Sequence, residues 1–571
     1  MLTFFLAFVA AIAVTTINHY SLNVDATALD DYVWKADDNY GWTELDYVIK
    51  AKVVGRGYTA FALNLTSQRW LTDADFSPSS NSISLWWHTL MVIVPDSWVP
   101  STNTNGILWI TGGSVTDGLP QASDEDIQVS AALATGTGCI TGALFQIPNE
   151  HTTFAADPLQ KSRTEDGIIA FTWEHFLNDP SDPTWLLRFP MVKASLRAMD
   201  AVSEFVAQKY ATDNAKVDKY IVSGASKRGW TTWDVAAVDP NRVIAIVPIV
   251  LDAINFVAVE HHQFRSYGGW TFALSDYTDL NITMRFDDAN MLLLQQNVDP
   301  FFYKERLTMP KLVINAVLDE FQQPDDTRYW WSEMPEPKHF LIVPNAEHSM
   351  ATGIQMIVPA VSAWCSNLIA GETIPAMTWT INESTGEIVA TLGQRDSVVH
   401  EAKIWYGYSC GQNAWDGNKK RRDFRVANLD YPCSCGVYAE GTCANLKSVF
   451  HQQVVNVTTH AITGKRTISA TLPAPADGRW VAFFIEVKFF TKLPAPFTSQ
   501  QLAEEFAIST PSRNNSILPT KLREIINAEF GGSVFAHDFG KFFDFTTEVS
   551  VWPNTFPYEE CFGETCGVRL L

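Results

Sequence analysis

The chain has 571 residues, of which 46% are hydrophobic and 18% are charged, a composition typical of a globular protein. A chain of this length is expected to form more than one domain around a large core. Its 63 acidic and 41 basic residues give a formal net charge of −22, which argues against nucleic acid or an anionic membrane surface as a partner.

The first residues predict a secreted protein. Residues 1–14 (MLTFFLAFVAAIAV) are apolar, and Ala11-Ile12-Ala13 offers a cleavage site, so we predict a signal peptide at residues 1–13. A basic n-region is missing, and a buried N-terminal helix is the alternative. Because no later apolar run is long enough to cross a bilayer, we expect an extracellular protein without a membrane span after cleavage.

Glycosylation sequons and clustered cysteines agree with secretion. Asn-x-Ser/Thr sequons lie at Asn64, Asn281, Asn382, Asn456 and Asn514. Six cysteines fall late in the chain, at Cys410, Cys433, Cys435, Cys443, Cys561 and Cys566. This clustering favours disulfides in an oxidising compartment, and a metal clip formed by the Cys-x-Cys pair at 433–435 is the alternative. We otherwise expect no metal and no organic cofactor.

Residues 20–372 have the pattern of an α/β domain with a doubly wound, mostly parallel sheet. Alternating apolar and polar residues at 63–70 and 83–94 predict antiparallel strands at a sheet edge. The apolar run GILWI at 106–110 predicts a buried strand that ends at Gly112-Gly113-Ser114. Helical periodicity follows at 185–207 and places a helix against the sheet.

The stretch DKYIVSGASKRGW, at residues 218–230, predicts a strand, a sharp turn and a helix. A serine on such a turn is a nucleophile elbow, in which small neighbours let the hydroxyl point out of the sheet. Ser226 is the candidate nucleophile, and Gly224 fits the position two residues before it. Arg228 stands two residues after the serine, where glycine is common, and the glycine follows at Gly229. An ordinary strand–helix connection is the alternative.

An inserted cap is predicted between two later strands. An apolar strand run at 243–250 is followed by 60 residues, 251–310, without a core strand. This connection is too long for a simple crossover, so we predict a helical cap. His261 and His262 could ligate a metal, but no carboxylate–histidine spacing supports this, and a structural or substrate-facing role is the favoured interpretation.

Asp319 and His348 complete a candidate triad. Asp319 follows the strand run at 311–317, and His348 follows the run at 338–343. The order Ser226, Asp319, His348 is that of the α/β-hydrolases, in which the imidazole takes the serine proton and the carboxylate orients the imidazole. Glu320 is the alternative acid. His339 is a poorer base because it lies at the start of its strand, at the wrong end of the sheet.

An oxyanion hole is expected beside the elbow. The backbone N–H of Lys227 would supply one donor, and Gly113 or Ser114 would supply a second. The alternative for Gly112-Gly113 is a plain turn. Lys227 and Arg228 also place two positive charges beside the nucleophile, which either pair with nearby acids or favour a substrate carboxylate.

From residue 376 the sequence pattern changes to short segments of alternating apolar and polar residues, separated by regular turns. This pattern predicts a C-terminal β-sandwich-like domain at 376–571. Residues 491–541 interrupt this pattern as a partly helical insertion. A strand at 543–552 (FDFTTEVSVW) is expected to return to the sandwich.

Several motifs resemble the PhoPQ-activated pathogenicity-related protein family, which includes secreted amoebal proliferation repressors. They include IPNEHTTFAADP, VSGASKRGWTTW, GGWTFALSDY, VPNAEHSM and RRDFR, and the likeness runs from about residue 32 to about residue 425. The resemblance implies an α/β-hydrolase domain followed by a β-sandwich, and it places nucleophile, acid and base on Ser226, Asp319 and His348. It also accounts for Arg228, which belongs to the elbow of that family. Residues 491–541 and the cysteine cluster depart from its pattern.

Three functional hypotheses follow. The first is a secreted serine hydrolase acting on a peptide or ester, with the aminodipeptidase-like activity that the resemblance implies for some relatives or with esterase-like activity. The second is a secreted signal that binds a cell-surface receptor and uses the hydrolase fold as a scaffold, as the growth-inhibiting and chemorepellent relatives suggest. The third, a carbohydrate-binding protein, depends on the 20 tryptophans and the predicted sandwich.

Overall fold

The computed structural model describes residues 26–78, 84–100, 102–393, 397–411, 420–428, 435–439, 441–492 and 542–570. The predicted signal peptide, the sequon at Asn514 and Cys433 lie outside the described residues. Of the predicted insertion at 491–541, only residues 491 and 492 are described.

A nine-stranded sheet forms the centre of the molecule. Its strands are β1 (Gly41–Val53), β2 (Arg56–Arg69), β3 (Leu85–Pro95), β4 (Asn105–Ile110), β5 (Ile140–Leu144), β6 (Lys219–Ala225), β7 (Val243–Ile249), β8 (Lys311–Ala316) and β9 (Lys338–Val343). They lie in the order β1-β2-β3-β5-β4-β6-β7-β8-β9. The pairs from β1 to β5 along this order are antiparallel, and the pairs from β5 to β9 are parallel.

Helices cover both faces of this sheet. They are α1 (Ala28–Trp34), α2 (Glu125–Thr137), α3 (Glu165–Asn178), α4 (Arg188–Lys209), α5 (Lys227–Val238), α6 (Phe256–Tyr267), α7 (Ser275–Asp279), α8 (Ala289–Val298) and α9 (Ile354–Ile369). Leu312 and Ile314 of β8 join the core cluster of α2 and α9, whereas Val313 joins that of α4 and α5. Because both faces are buried, the parallel strands are nearly continuous apolar runs, as the sequence analysis predicted.

The chain between β7 and β8 is helical. It contains α6, α7 and α8 together with short 3-10 turns, and it contains no strand among its described residues. None of the described helices is both long enough and apolar enough to cross a bilayer.

Antiparallel sheets follow the α/β part, which confirms the predicted fold class. Their strands are β10 (Met377–Ile381), β11 (Ile388–Leu392), β12 (Val399–Tyr408), β13 (Ala427–Asn428), β14 (Gly436–Ala439), β15 (Thr442–Asn445), β16 (His451–Val454), β17 (Thr458–Thr459), β18 (Arg466–Ala470), β19 (Val481–Phe490), β20 (Phe542–Thr546) and β21 (Ser550–Trp552). One sheet has the order β10-β11-β18-β17, and a second has the order β16-β12-β19-β20, with β21 also paired to β19. The small third sheet has the order β13-β15-β14.

The C-terminal part packs closely on the α/β part. Asn345, just after β9, donates to the carbonyl of Phe450 and accepts from its N–H. The end of the chain returns to the helical segment between β7 and β8, where Trp270 donates its backbone N–H to Val568 and accepts from Leu570, both at 3.0 Å. The two parts therefore share hydrogen bonds at several places along the chain.

The cysteines and tryptophans behave as structural residues in the described part of the chain. Disulfides join Cys410 to Cys435 and Cys561 to Cys566. The alternative of a metal clip at 433–435 is thus wrong, because the Cys435 sulfur is already bonded to Cys410. Among the described tryptophans, Trp34 alone is exposed. The many tryptophans of this chain therefore mainly fill the core.

Candidate active site

Ser226 lies at the sharp turn between β6 and α5. Its φ of 57° and ψ of −127° fall in a region that L-residues rarely adopt, so its neighbours must leave room for the turn. A Cβ on Gly224 would lie 2.8 Å from the Arg228 carbonyl oxygen, and a Cβ on Gly229 would lie 2.7 Å from that of Ile249. The later glycine therefore stands three residues after the serine because that position faces the backbone of β7.

The turn brings Ser226 to His348. Ser226 Oγ lies 2.8 Å from Nε2 of His348, and Nδ1 of His348 lies 2.7 Å from Oδ2 of Asp319. Because a carboxylate only accepts hydrogen bonds, Nδ1 carries the proton and Nε2 accepts the bond that the hydroxyl donates. The N–H groups of Phe321 and Gln322 donate to Oδ1 of Asp319 at 2.7 and 3.1 Å and fix this carboxylate.

Of the two adjacent acids, Asp319 is the one that contacts the imidazole. Glu320 turns the other way, and its Oε2 accepts the backbone N–H of His348 at 3.1 Å. Burial and the neighbouring carboxylates raise the pKa of Glu320 well above its ordinary value. His339 is buried at the start of β9 with its ring stacked on Phe545, at a centroid distance of 4.5 Å.

The predicted oxyanion donors are brought together only in part. Lys227 is the first residue of α5, so its N–H has no acceptor within the helix. Lys227 also lines both cavities beside the nucleophile. Ser114 does not serve, because its N–H donates to Oδ2 of Asp117 at 2.8 Å inside its own turn. Of the Gly112-Gly113 pair, Gly112 lines the larger cavity. The Gly-Gly run was the sequence signal for this site, but it did not identify Gly112.

The two cations beside the nucleophile are paired with acids of α3. Lys227 Nζ lies 2.9 Å from Glu165 Oε2 and 2.9 Å from Asp166 Oδ2, and Arg228 lies 2.5 Å from Glu165 Oε1. Burial raises the pKa of Glu165, but Arg228 and Lys227 outweigh it and lower the pKa to about 2. Gly112 leaves space for this arrangement, since a Cβ there would lie 2.5 Å from the Arg228 guanidinium. These cations are therefore engaged and do not attract a substrate carboxylate.

Two cavities adjoin Ser226 and His348. The larger has a volume of about 480 Å³ and is lined by apolar side chains of α2 and α9, such as Leu133 and Val361. The smaller has a volume of about 70 Å³ and is lined by the helical segment between β7 and β8 and by α3 and α5. Phe321 lines both cavities, and its ring centroid lies 4.3 Å from that of His348.

Four residues of the site escaped sequence reasoning: Glu165, Asp166, Phe321 and Glu260. Glu165 and Asp166 begin a helix, where acidic residues are common, so their position alone gave no functional signal. Phe321 lies two residues after the candidate acid in an otherwise polar loop. Glu260 lies in α6 directly before His261 and His262. The sequence pattern there indicated only the two histidines as candidate metal ligands. His261 does lie close to the sulfurs of Cys561 and Cys566, but the disulfide between these cysteines rules out a metal there.

Comparison with known proteins adds a family to this geometry. The chain matches the family model described as PhoPQ-activated pathogenicity-related protein over residues 29–425. It is also 32% identical over 547 residues to "Autocrine proliferation repressor protein A" of Dictyostelium discoideum, an alignment that covers 94% of this chain and 93% of that protein.

Two similar solved structures are distant in sequence. An acetyl xylan esterase from Paenibacillus sp. R4 is 11% identical, with a TM-score of 0.39, and the match covers 60% of this chain and 92% of that one. Est1E from Butyrivibrio proteoclasticus is 12% identical, with a TM-score of 0.30, and the match covers 57% and 99%. The strand order and the turn at Ser226 carry the fold assignment without them.

The family match spans well over half of the chain. Its residues 29–425 include the turn at Ser226, the loop of Asp319 and the loop of His348, which meet at one end of the sheet. The chain belongs to the PhoPQ-activated pathogenicity-related protein family.

Proposed function

We propose that this protein is a secreted serine hydrolase that cleaves an ester or a peptide. The observation that carries the proposal is the chain of two hydrogen bonds from Ser226 Oγ through His348 to Asp319, at 2.8 and 2.7 Å. A serine hydroxyl is a weak nucleophile until a neighbouring base removes its proton, and this geometry supplies that base. The cavities on either side give a substrate access to the hydroxyl.

The proposed reaction has two steps. Ser226 Oγ attacks the substrate carbonyl while Nε2 of His348 takes the hydroxyl proton, and His348 then returns that proton to the leaving alcohol or amine. Water attacks the resulting acyl-serine in the same way and releases the acid. Asp319 stabilises the imidazolium in both steps. The N–H of Lys227 and that of Gly112 or Gly113 would hold the oxyanion, and each such donor is worth roughly 3 kcal/mol.

Labelling with a fluorophosphonate probe tests this proposal. We expect the wild-type protein to react at Ser226 and the Ser226→Ala variant to remain unlabelled. Heat-denatured wild type serves as the control, because an isolated serine does not react. Labelling that is equal in the wild type and in Ser226→Ala would contradict the proposal, as would the absence of reaction in the folded wild type.

Secretion is part of the same proposal. The predicted leader, the disulfides and the exposed side chains of Asn64, Asn281, Asn382 and Asn456 support it. Expression in a eukaryotic host should release the protein into the medium with a mass that falls on treatment with an N-glycosidase. Retention inside the cell would argue against an extracellular role.

A second candidate function is an autocrine signal that slows proliferation through a cell-surface receptor. The name of the relative that is similar along nearly the whole chain favours it. Purified wild type and Ser226→Ala should be added to growing cells at equal concentrations. Equal slowing by both would mean that catalysis is dispensable for the signal. Slowing by the wild type alone would mean that the signal requires the hydrolase activity. No effect from either protein would exclude the signalling role in that cell type.

A further inference from the structure

The smaller cavity beside Ser226 contains a carboxyl group that the proposed reaction does not use. Glu260 of α6 lines this cavity, and its Oε2 atom is buried. No donor to that atom exists among the residues that the structure describes. Burial raises the pKa of Glu260 to about 8. A buried carboxylate without a partner is costly, so the site is suited to a ligand that supplies a positive charge.

Aromatic rings form a large part of the remaining wall. The rings that line the cavity come from Trp173, Trp230, Phe256, Tyr277, Phe286 and Phe321. Trp173 packs against Phe256 with centroids 5.0 Å apart and against Tyr277 with centroids 5.4 Å apart, so these rings hold one another in place. The faces of such rings attract cations, and cages of this kind recognise methylated ammonium groups.

The other charged groups at the cavity are already engaged. Asp166 lies 2.9 Å from Lys227 Nζ and accepts a hydrogen bond from the Tyr277 hydroxyl at 3.0 Å. The guanidinium of Arg188 covers one face of Trp230, at 4.5 Å from the ring centroid, and its Nη1 donates to the Lys227 carbonyl and to the Thr231 hydroxyl. Glu260 is therefore the group with which a cation would pair: burial keeps its carboxyl largely protonated at neutral pH, and a bound cation would favour the ionised form.

The size of the cavity limits that ligand. A volume of about 70 Å³ exceeds the ~10–15 Å³ that one water needs and holds roughly five heavy atoms. A trimethylammonium group has this size. A primary ammonium would need acceptors for three N–H groups, whereas Glu260 Oε2 and Thr283 Oγ1 are the two buried side-chain oxygens without a partner among the described residues that line this cavity.

We propose that this cavity binds a methylated ammonium group of the substrate, with Glu260 as the residue that determines specificity. The inference rests on the proposed hydrolase function, because the same cavity opens on Ser226 and His348. The proposed substrate is an ester or amide that carries a quaternary ammonium close to the scissile carbonyl, so that the ammonium fills this cavity while the carbonyl reaches Ser226.

Calorimetric titration with choline tests the inference without requiring catalysis. The controls are 3,3-dimethylbutan-1-ol, which has the same shape without the charge, and ethanolamine, which keeps the charge without the methyl groups. On the Ser226→Ala protein we expect choline to bind at least tenfold more tightly than either. Binding of the neutral alcohol or of ethanolamine as tight as that of choline would overturn the inference, as would no binding of choline.

Two variants assign the effect to Glu260. Glu260→Gln should abolish the preference for choline over the neutral alcohol, whereas Glu305→Gln, which removes a charge from an exposed residue, should leave it intact. A preference that survives Glu260→Gln, in a variant whose melting temperature shows that it is folded, would contradict the assignment.

Protection of Ser226 locates the site. Choline should slow fluorophosphonate labelling of the wild type, and 3,3-dimethylbutan-1-ol should not. If labelling proceeds but choline neither binds nor protects, the hydrolase proposal stands and this inference fails. If Ser226 is never labelled while choline still binds in a way that depends on Glu260, the hydrolase proposal fails and the ammonium site stands.

Discussion

Asp319 and Glu320 are adjacent carboxylates with opposite surroundings. The turn after β8 directs Asp319 to Nδ1 of His348, where it accepts three hydrogen bonds, two of them from backbone N–H groups. Glu320 accepts the backbone N–H of His348 and carries a raised pKa, so its role is to hold the loop in place. The division of roles between two neighbouring acids is thus decided by the backbone conformation of one turn.

Asp319→Asn tests this division. We expect the variant to lose on the order of 10³- to 10⁴-fold in kcat for hydrolysis of a nitrophenyl ester, because an amide does not hold the required tautomer of His348. Glu320→Gln is the matched control, since its amide oxygen can still accept the His348 N–H, and its kcat should fall by less than ~10-fold. Equal losses in the two variants would reject the assignment of Asp319.

His339 gives a second test at the residue scale. Burial lowers its pKa to about 4, against ~6.5 in an unfolded chain. The unfolded state thus binds a proton that the folded state excludes between these values, and stability falls as the pH drops from about 6.5 to 4. In His339→Phe, which keeps the stacking on Phe545, this loss is removed.

Urea unfolding should therefore show His339→Phe gaining about 2 kcal/mol relative to the wild type between pH 7 and pH 4.5. His460→Phe, at an exposed position, should show no such gain. Parallel stability curves for the wild type and His339→Phe would mean that His339 titrates alike in the folded and unfolded chain.

At the scale of elements, the start of α5 is joined to the start of α3 by charge. Arg228 and Lys227 follow the nucleophile on α5, and Glu165 and Asp166 open α3. Arg228 also donates to the Ile147 carbonyl at 2.6 Å, which ties the loop after β5 to the same point. Arg228 thus stands two residues after the serine, where glycine is common, and its contacts with Glu165 and Ile147 hold the elbow in position.

Glu165→Ala should destabilise the protein by ~3 kcal/mol in urea unfolding at pH 7, because it leaves Arg228 buried without its carboxylate. Lys216→Ala is the control: it removes an exposed pair with Asp218 and should cost less than ~1 kcal/mol. Because the pKa of Glu165 is held at about 2, its contribution is complete above the unfolded value of ~4.3 and is lost as the pH falls toward 2. The two proteins should therefore converge in stability only below about pH 2, and a difference that persists there would contradict the charge network.

At the scale of the whole molecule, Arg422 connects the C-terminal part to the α/β part. It is fully buried and donates to both carboxylate oxygens of Asp325, and it also contacts Gln323 and His262. Burial raises the pKa of Asp325, but the Arg422 guanidinium outweighs it and holds that pKa far below its ordinary range. The family match, which runs to residue 425, includes both residues of this contact.

Arg422→Leu should lower the free energy of unfolding by roughly 3–5 kcal/mol, since Asp325 would stay buried without its partner. We expect tryptophan fluorescence and far-UV circular dichroism to report one shared transition for the wild type. Arg569→Leu, which removes an exposed pair with Asp279, should cost less than ~1 kcal/mol. Separate transitions for the two probes in the wild type would show that the two parts unfold independently.

Much of the fold was predictable because its signals are local. Apolar runs that end in polar loops identified the buried strands, and the short alternating segments identified the antiparallel sheets. The chain order of Ser226, Asp319 and His348, each just after a strand, identified the candidate triad, since parallel strands bring their carboxyl ends to one edge of the sheet. The residues around the triad were less predictable. Gly113 and Ser114 are the alternative predictions for the second oxyanion donor, and the N–H of Ser114 is engaged with Asp117.

The sequence by itself thus determined the order of strands and helices along the chain and the residues that follow the strands before Ser226, Asp319 and His348. Only the tertiary structure decided that Asp319 faces the imidazole, that Gly112 lies beside the nucleophile, that Glu165 neutralises Arg228 and that Glu260 enters the smaller cavity. The physical reason is that backbone preferences depend on neighbours along the chain. Side-chain partners 60 or more residues apart, such as Arg228 and Glu165, are instead set by how the finished layers pack.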